Sequence, residues 1–487
     1  MPTLSYGRAM GWLAEQEPER LAVIHENARC IRTDLERRSN RLARAYEALG
    51  VRRDDLVTIA LPNGIEFLEA CLALWKLGAT PQPISSRLPE RERRTIVELV
   101  DPPLLIGAAA GDYGPRATIP PGFVPDPALE DTPLSDVVSR HARAMTSGGS
   151  TGRPKVIVER TPAECDPEEA QNGMTPGGTT LVPGPLYHAG PFITTWQALL
   201  SGGTVILLSR FDPLRCLELI ERHRVDWALF VPTMMQRIWR LPREERERWD
   251  LSSLRRVMCS GAASPPWLKR AWIGWLGPER IHEAYGGSER IGGTQISGRE
   301  WLEHPGSVGR PTGGRRIRIL DADGKPCPPG VIGEVFMMPP GGQGSTYRYI
   351  GAEPTATEDG WETLGDLGYL DEDGYLYLVD RKTDMVVTGG ANVYPAEVEA
   401  ALDAHPAVHS SAVIGLPDED LGQRLHAIVE AREPIDDAEL RAHLEGYLAR
   451  YKIPRSFEFV SEPLRDDAGK VRRSALREAR LRARPDA

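Results

Sequence analysis

Short apolar runs alternate with helical repeats along this chain, and that alternation admits few architectures. Residues 34–49 carry apolar side chains at helical spacing and stop at Gly50, while residues 56–61 form a short, mostly apolar run closed by Pro62. Residues 66–77 repeat the helical pattern up to Gly78, and residues 81–84 begin another extended piece. Strand, helix, strand in this order predicts an α/β fold with a largely parallel sheet. Residues 108–136, rich in Gly, Pro and Asp, read as loop. The alternation then resumes with strands at 204–208, 227–231 and 256–260 and a helix at 214–223.

Beyond about residue 330 strands and turns take over, at 333–338, 374–379 and 385–388, which predicts a β-barrel-like part. A compact unit follows: helix 396–404, strands 410–414 and 425–429, helix 437–449, strand 456–459. The boundary falls at Asp380–Arg381. Residues 1–380 make a large N-terminal domain of several subdomains, and 381–487 a small α+β domain. The Arg-rich end, residues 472–484, reads as a solvated helix face.

Acids outnumber bases, 69 against 59, and the formal charge of -10 argues against nucleic-acid and anionic-membrane partners. Residues 170–209 contain no Asp, Glu, Lys or Arg, but repeated Pro and Gly-Gly pairs break any membrane helix there. That run reads instead as buried core around an apolar pocket. The six cysteines show no C-x-x-C pair, which excludes a zinc site or disulfide framework and suits a reducing cytoplasm. Residues 1–15 lack a basic segment followed by an apolar one, so no signal peptide is expected.

The densest chemical signal is Thr146-Ser147-Gly148-Gly149-Ser150-Thr151-Gly152-Arg153-Pro154-Lys155. Glycines let the backbone approach a polyanion, hydroxyls and N–H groups donate to phosphate oxygens, and a lysine adds charge. Pro154 stands where a Walker-type loop needs its second glycine, and extended residues flank the segment, so this loop joins two strands.

The loop resembles the phosphate loop of the adenylate-forming superfamily, which includes acyl- and aryl-CoA ligases, peptide-synthetase adenylation domains and luciferases. Further motifs follow in that family's order over nearly the whole chain: Pro185-Leu186-Tyr187-His188, Ser260-Gly261-Ala262-Ala263 and Tyr285-Gly286-Gly287-Ser288-Glu289. Gly365-Asp366, Asp380-Arg381, the segment from Gly389-Gly390 to Glu399, and Gly469-Lys470 complete the series. The resemblance implies activation of a carboxylate by ATP through an acyl-adenylate, followed by transfer to a thiol. It makes Lys470 the mobile lysine bridging carboxylate and phosphate, and Glu289 the Mg²⁺ ligand. Asp366, with Arg381 beside it, would accept the ribose hydroxyls. Tyr285 would stack on adenine beside the Gly261-Ala262 turn, and His188 would stand between the nucleotide and the acyl tunnel. Gly389-Gly390 would line the route of a pantetheine thiol. The chain departs from the family pattern at Gly148, at Val387, at the inverted Pro463-Leu464-Arg465, and at Thr383, which leaves Lys382 or Asp384 open as the hinge.

Ala189 occupies the position where amino-acid-activating relatives carry an Asp. An ammonium buried there would have no partner, so a plain carboxylic acid is expected. Ala189, Phe192, Trp196, Phe230 and Met234 are the candidate lining of an apolar or aromatic pocket. The acceptor is free CoA or, alternatively, a phosphopantetheinyl carrier protein or another acceptor. A non-catalytic nucleotide-binding protein is disfavoured because Glu289 and Lys470 are both present.

Overall fold

The computed structural model describes residues 3–109, 111, 113–148, 154–169, 171–466 and 469–482. Its centre is a nine-stranded sheet in the spatial order Arg310–Pro311, Gly293–Ser297, Ile281–Gly286, Arg256–Cys259, Trp227–Phe230, Thr179–Val182, Thr204–Leu207, Leu21–His25, Ala28–Ile31. The strands from Ile281–Gly286 to Leu21–His25 pair in parallel, and antiparallel strands close both edges. A second, all-parallel sheet has the order Thr80–Pro83, Leu56–Ile59, Leu104–Ile106, Ala117–Ile119. Its last strand lies inside the stretch read as loop. Three residues between Gly- and Pro-rich turns are too short to show a period of two.

Side chains alternate across the central sheet as its pleat requires. Val182, Val205, Leu207, Leu229 and Met258 face one core, with helices Ile65–Lys76 and Ala189–Leu200. Leu181, Ile206, Ala228, Phe230, Val257 and Cys259 face the other, with helices Pro213–His223, Pro232–Trp239 and Pro266–Leu276. Burial on both faces explains why 170–209 carries no charge: strand Thr179–Val182, helix Ala189–Leu200 and strand Thr204–Leu207 lie inside the double core. Among the described residues no helix is long and apolar enough to cross a membrane. All six cysteines are free thiols.

The barrel-like part takes the form of a five-stranded antiparallel sheet, in which Glu362–Leu370 pairs with Gly333–Met338, Thr355–Ala356 and Leu376–Arg381. Beyond it, Val408–Asp418, Gly422–Ala431 and Ser456–Val460 form a separate three-stranded sheet. This sheet and helices Pro395–Asp403 and Asp437–Glu445 enclose a core of their own, including Val398, Leu402, Val413, Leu440 and Leu444. The Arg-rich helix Arg473–Arg482 is more than a solvated face. Arg473 pairs with Asp384 at 2.8 Å and Glu399 at 2.7 Å, Arg480 pairs with Glu458 at 2.7 Å, and Arg477 donates to the Gly415 carbonyl at 3.0 Å. Its arginines strap it to the small unit with long stems and charged heads, which hydropathy alone scores as exposed.

Candidate active site

Strands Ala144–Gly148 and Pro154–Glu159 pair antiparallel with Ser147 opposite Lys155 and Gly148 opposite Pro154. The loop between them therefore joins two strands; Gly149, Ser150, Thr151 and Gly152 lie outside the described residues. Its base is fixed from below: Gln82 donates to the Thr146 hydroxyl at 2.6 Å, and Thr58 donates to Gln82 at 2.6 Å.

The first residue after the loop's Pro154 carries the charge. Lys155 Nζ lies 3.4 Å from Glu289 Oε1 and donates to the Tyr349 hydroxyl at 2.8 Å. That hydroxyl in turn donates to Glu289 Oε1 at 2.7 Å, and the ammonium sits 4.0 Å from the Tyr349 ring centroid. Burial, and then the Glu289 charge, hold the Tyr349 hydroxyl well above the usual tyrosine range, so it stays a donor. Glu289 is only 6% exposed, and its carbonyl accepts from Thr346 at 2.8 Å. Gly287 and half-buried Ser288 lead into it from strand Ile281–Gly286, whose last residue, Gly286, is exposed. A Cβ on Gly287 would stand 2.7 Å from Glu289 Oε2 and 2.7 Å from Leu364 Cδ1, so a side chain there would displace the carboxylate.

Among the described residues no three His, Cys, Asp or Glu side chains gather to cage a metal. A single buried carboxylate fits Mg²⁺, which keeps waters and takes phosphate oxygens as its other ligands. The donor set therefore suits the ion that Glu289 was expected to hold.

Asp366 and Arg381 are cross-strand partners, with Arg381 Nε 3.4 Å from Asp366 Oδ1. Tyr285 donates its hydroxyl to Asp366 Oδ2 at 2.6 Å. Burial and the Asp366 charge raise the Tyr285 hydroxyl well above its ordinary range. The Gly261-Ala262 turn is exposed at the end of strand Arg256–Cys259; Gly261 takes φ 93° and Ser260 donates to the Ala284 carbonyl at 2.8 Å. The Gly261-Ala262 turn lies past the carboxyl end of its strand, and Tyr285 near that of the adjacent parallel strand, the usual ligand position of an open α/β sheet.

His188 is the N-cap of helix Ala189–Leu200, and its buried Nε2 has no hydrogen-bond partner. Burial, then the Lys470 charge, push the imidazole down to about 3, so the ring is neutral near pH 7. Lys470 follows Gly469 in a loop closed by Asp466, which accepts from the Lys470 N–H at 2.9 Å. Lys470 keeps solvent-exposed surface, yet the protein around its ammonium lowers it from the ordinary lysine value; Asp466 and Glu289 oppose that shift and Arg381 adds to it. The charges of Glu289 and Arg381 thus act on Lys470, and the Lys470 charge acts in turn on His188. Gly389 and Gly390 sit apart on the turn between Val386–Thr388 and Ala391–Val393, where Gly389 donates to the Leu421 carbonyl at 3.0 Å within the same small unit.

The five expected pocket residues divide between the two cores that flank the central sheet. Phe192 and Trp196 pack against Trp75, with ring centroids 6.1 and 4.5 Å away, under one face of the central sheet. Phe230 and Met234 belong to the core on the opposite face. Helical spacing on Ala189–Leu200 marks its buried side without telling which end meets a ligand. Ala189, next to His188, packs half-buried against the same core as Phe192 and Trp196, and Met234 Cε comes 3.8 Å from where a Cβ on Gly184 would stand. Sequence reasoning missed Tyr349, whose signal was the alternating Tyr347-Arg348-Tyr349-Ile350 run that pairs with Pro154–Glu159.

The sequence profile described as AMP-binding enzyme matches residues 11–344, and that of the AMP-binding enzyme C-terminal domain matches residues 397–470. The chain belongs to the AMP-binding enzyme family. It is 34% identical to a feruloyl-CoA synthase of an Amycolatopsis species over 95% of this chain and 96% of that one. It is 30% identical to the 2-succinylbenzoate–CoA ligase of Bacillus subtilis over 96% and 98% of the two chains. The structure of the o-succinylbenzoate CoA synthetase of Bacillus subtilis with its acyl-adenylate intermediate superposes with a TM-score of 0.83, at 28% identity over 98% of each chain. The same synthetase has been solved with ATP and a magnesium ion, with a TM-score of 0.82, 27% identity, and cover of 97% of this chain and 99% of that one. As a member of this family the protein is an AMP-forming acid–CoA ligase that uses ATP, Mg²⁺ and CoA.

Proposed function

We propose that this ligase activates an apolar or aromatic carboxylic acid, not an α-amino acid, and passes it to free CoA. The observation that carries the reading is the bonded Lys155–Tyr349–Glu289 group, with the Lys470 charge bearing on both Glu289 and the neutral His188, and Ala189 next to that histidine in the chain. No carboxylate at position 189 offers a partner to an α-ammonium, and burying that charge unpaired is costly. The aromatic acids named in the feruloyl and succinylbenzoate relatives agree with an uncharged residue there.

In the first half-reaction a carboxylate oxygen bonds to the α-phosphorus of ATP as the bond to the leaving pyrophosphate breaks. Lys470 holds positive charge where the carboxylate and α-phosphate approach, and Lys155 and the loop N–H groups hold the departing phosphates. Mg²⁺ on Glu289 supplies further charge neutralisation. Asp366, oriented by Tyr285, receives the ribose hydroxyls, and Gly261-Ala262 and Tyr285 border the adenine. His188 presents an uncharged ring between nucleotide and acid, so it does not pull the carboxylate away from phosphorus. In the second half-reaction residues 381–487 rotate, Gly389-Gly390 border the incoming thiol, and the thiol replaces AMP at the acyl carbon.

The test is pyrophosphate exchange over aryl, cyclic, medium-chain and α-amino acids, followed by thioester release with free CoA or an acyl carrier protein. Exchange with the aryl or apolar acids and turnover with CoA are expected. Preferential exchange with α-amino acids, or turnover with the carrier protein alone, would overturn the reading.

A further inference from the structure

Helix Pro232–Trp239 and its C-cap Arg240 present Thr233, Arg237 and Arg240 on one side, at the four- and three-residue steps that align helical side chains. Thr233 lies beneath the lysine loop: a Cβ on Gly469 would fall 2.6 Å from Thr233 Oγ1. At the other end Arg240 reaches into the small C-terminal unit. Its Nη1 donates to the His409 carbonyl and its Nη2 to the Asp403 carbonyl, both at 3.0 Å.

Asp403 is the last residue of helix Pro395–Asp403, and its carbonyl is one of the acceptors a helix leaves unpaired at its negative end. A guanidinium from another domain therefore caps it. The cap costs Arg240 hydration: burial, then Arg432, lower the guanidinium to about 10. Arg237 lies over the Phe211 ring at 5.0 Å, and its charge reaches His409 and Glu430 of the same unit. One helix thus touches the C-terminal unit both at the loop that carries Lys470 and at a helix terminus.

We infer that Arg240 is a positioning residue, a cap across the domain boundary that selects the orientation in which Lys470 faces His188 and Glu289. The inference rests on the proposed role of Lys470 in adenylation and goes beyond it. Rotation for thioester formation breaks both Arg240 bonds and returns the two carbonyls to water. Arg240 biases the two orientations while touching no reactant, so its loss slows only one half-reaction.

The test uses the full-length enzyme with Arg240→Ala, Arg240→Lys and Lys470→Ala in parallel, measuring pyrophosphate exchange and thioester formation from supplied acyl-adenylate and CoA. Arg240→Ala is expected to slow exchange about tenfold or more, the scale of lost hydrogen bonds from a charged donor. The thioester step should hold its rate or gain. Arg240→Lys should recover part of the exchange, because an ammonium can still donate to a terminal carbonyl. Equal losses in both half-reactions, or unchanged exchange with correct folding, would overturn the inference; if Arg240→Ala fails to fold, the same comparison with Arg240→Lys decides. Lys470→Ala separates the two ideas. If it is selective for exchange while the Arg240 variants are not, only the cap fails; if it lowers both steps equally, the Lys470 role fails.

Discussion

Tyr349 holds the two charges of the phosphate end together. Its hydroxyl accepts from Lys155 and donates to Glu289, so Tyr349→Phe removes both bonds while keeping the ring beneath the ammonium. Pyrophosphate exchange should fall roughly tenfold, the scale of leaving buried charged groups short of a partner, and an unchanged rate would show that the tyrosine only packs. Glu289→Gln exchanges a charged oxygen for a neutral amide, a far weaker ligand for a hard cation. The Mg²⁺ concentration needed for half-maximal exchange should rise, and an unmoved titration would contradict the assignment. His188 gives a pH prediction. Its folded-state value of about 3 lies below the ordinary 6.5, so between those values the unfolded chain binds a proton that the folded chain refuses. His188 therefore costs stability progressively as pH falls from 6.5 towards 3, and its imidazole NMR signals should not titrate between pH 8 and 5. A midpoint near 6.5 would contradict a buried ring. At this scale the sequence named Lys155, Glu289, Asp366 and Lys470 because their motifs are contiguous. Tyr349 was missed because its alternating run gives no sign of the strand pairing, across nearly two hundred residues, that brings it to the site.

The phosphate hairpin and the lysine loop show what an element adds to its residues. The hairpin was readable because Pro154 forbids a Walker-type helix start and extended residues flank it. The Tyr347–Ile350 strand that completes its sheet is four residues long and carries no turn signal tying it to residue 154. The pocket lining was legible only as burial. Apolar spacing reports that Phe192, Trp196, Phe230 and Met234 are buried, but a sheet has two faces, and only tertiary pairing assigns each residue to one. The lysine loop yields its own prediction. Gly469 takes φ 76°, and a Cβ there meets Thr233. Gly469→Ala should lift the loop off helix Pro232–Trp239 and lower pyrophosphate exchange more than thioester formation from supplied adenylate. Equal effects would mean that loop and helix are not coupled to the first step.

Across the whole molecule the two-unit plan was legible because the small unit has its own apolar periodicity and its own core. The contact of Arg240 with two backbone carbonyls left no trace in the sequence, since carbonyls have no side-chain identity. The connection between units runs through Arg381–Asp384, a turn closed by the Asp384 N–H on the Arg381 carbonyl at 3.0 Å. Asp380, beside it, accepts from the Ala396 N–H at 2.8 Å, and burial raises its carboxyl to about 6. Proline at 383 would fix φ and restrict Lys382, so Thr383→Pro should hold one orientation and impair one half-reaction far more than the other. Intact rates in both would place the hinge elsewhere. The account stands most directly on Lys470, the cation that the small unit delivers to the site. Lys470→Ala, assayed by pyrophosphate exchange and separately by thioester formation from supplied acyl-adenylate and CoA, should nearly abolish the first and spare the second. Equal loss in both would contradict the account.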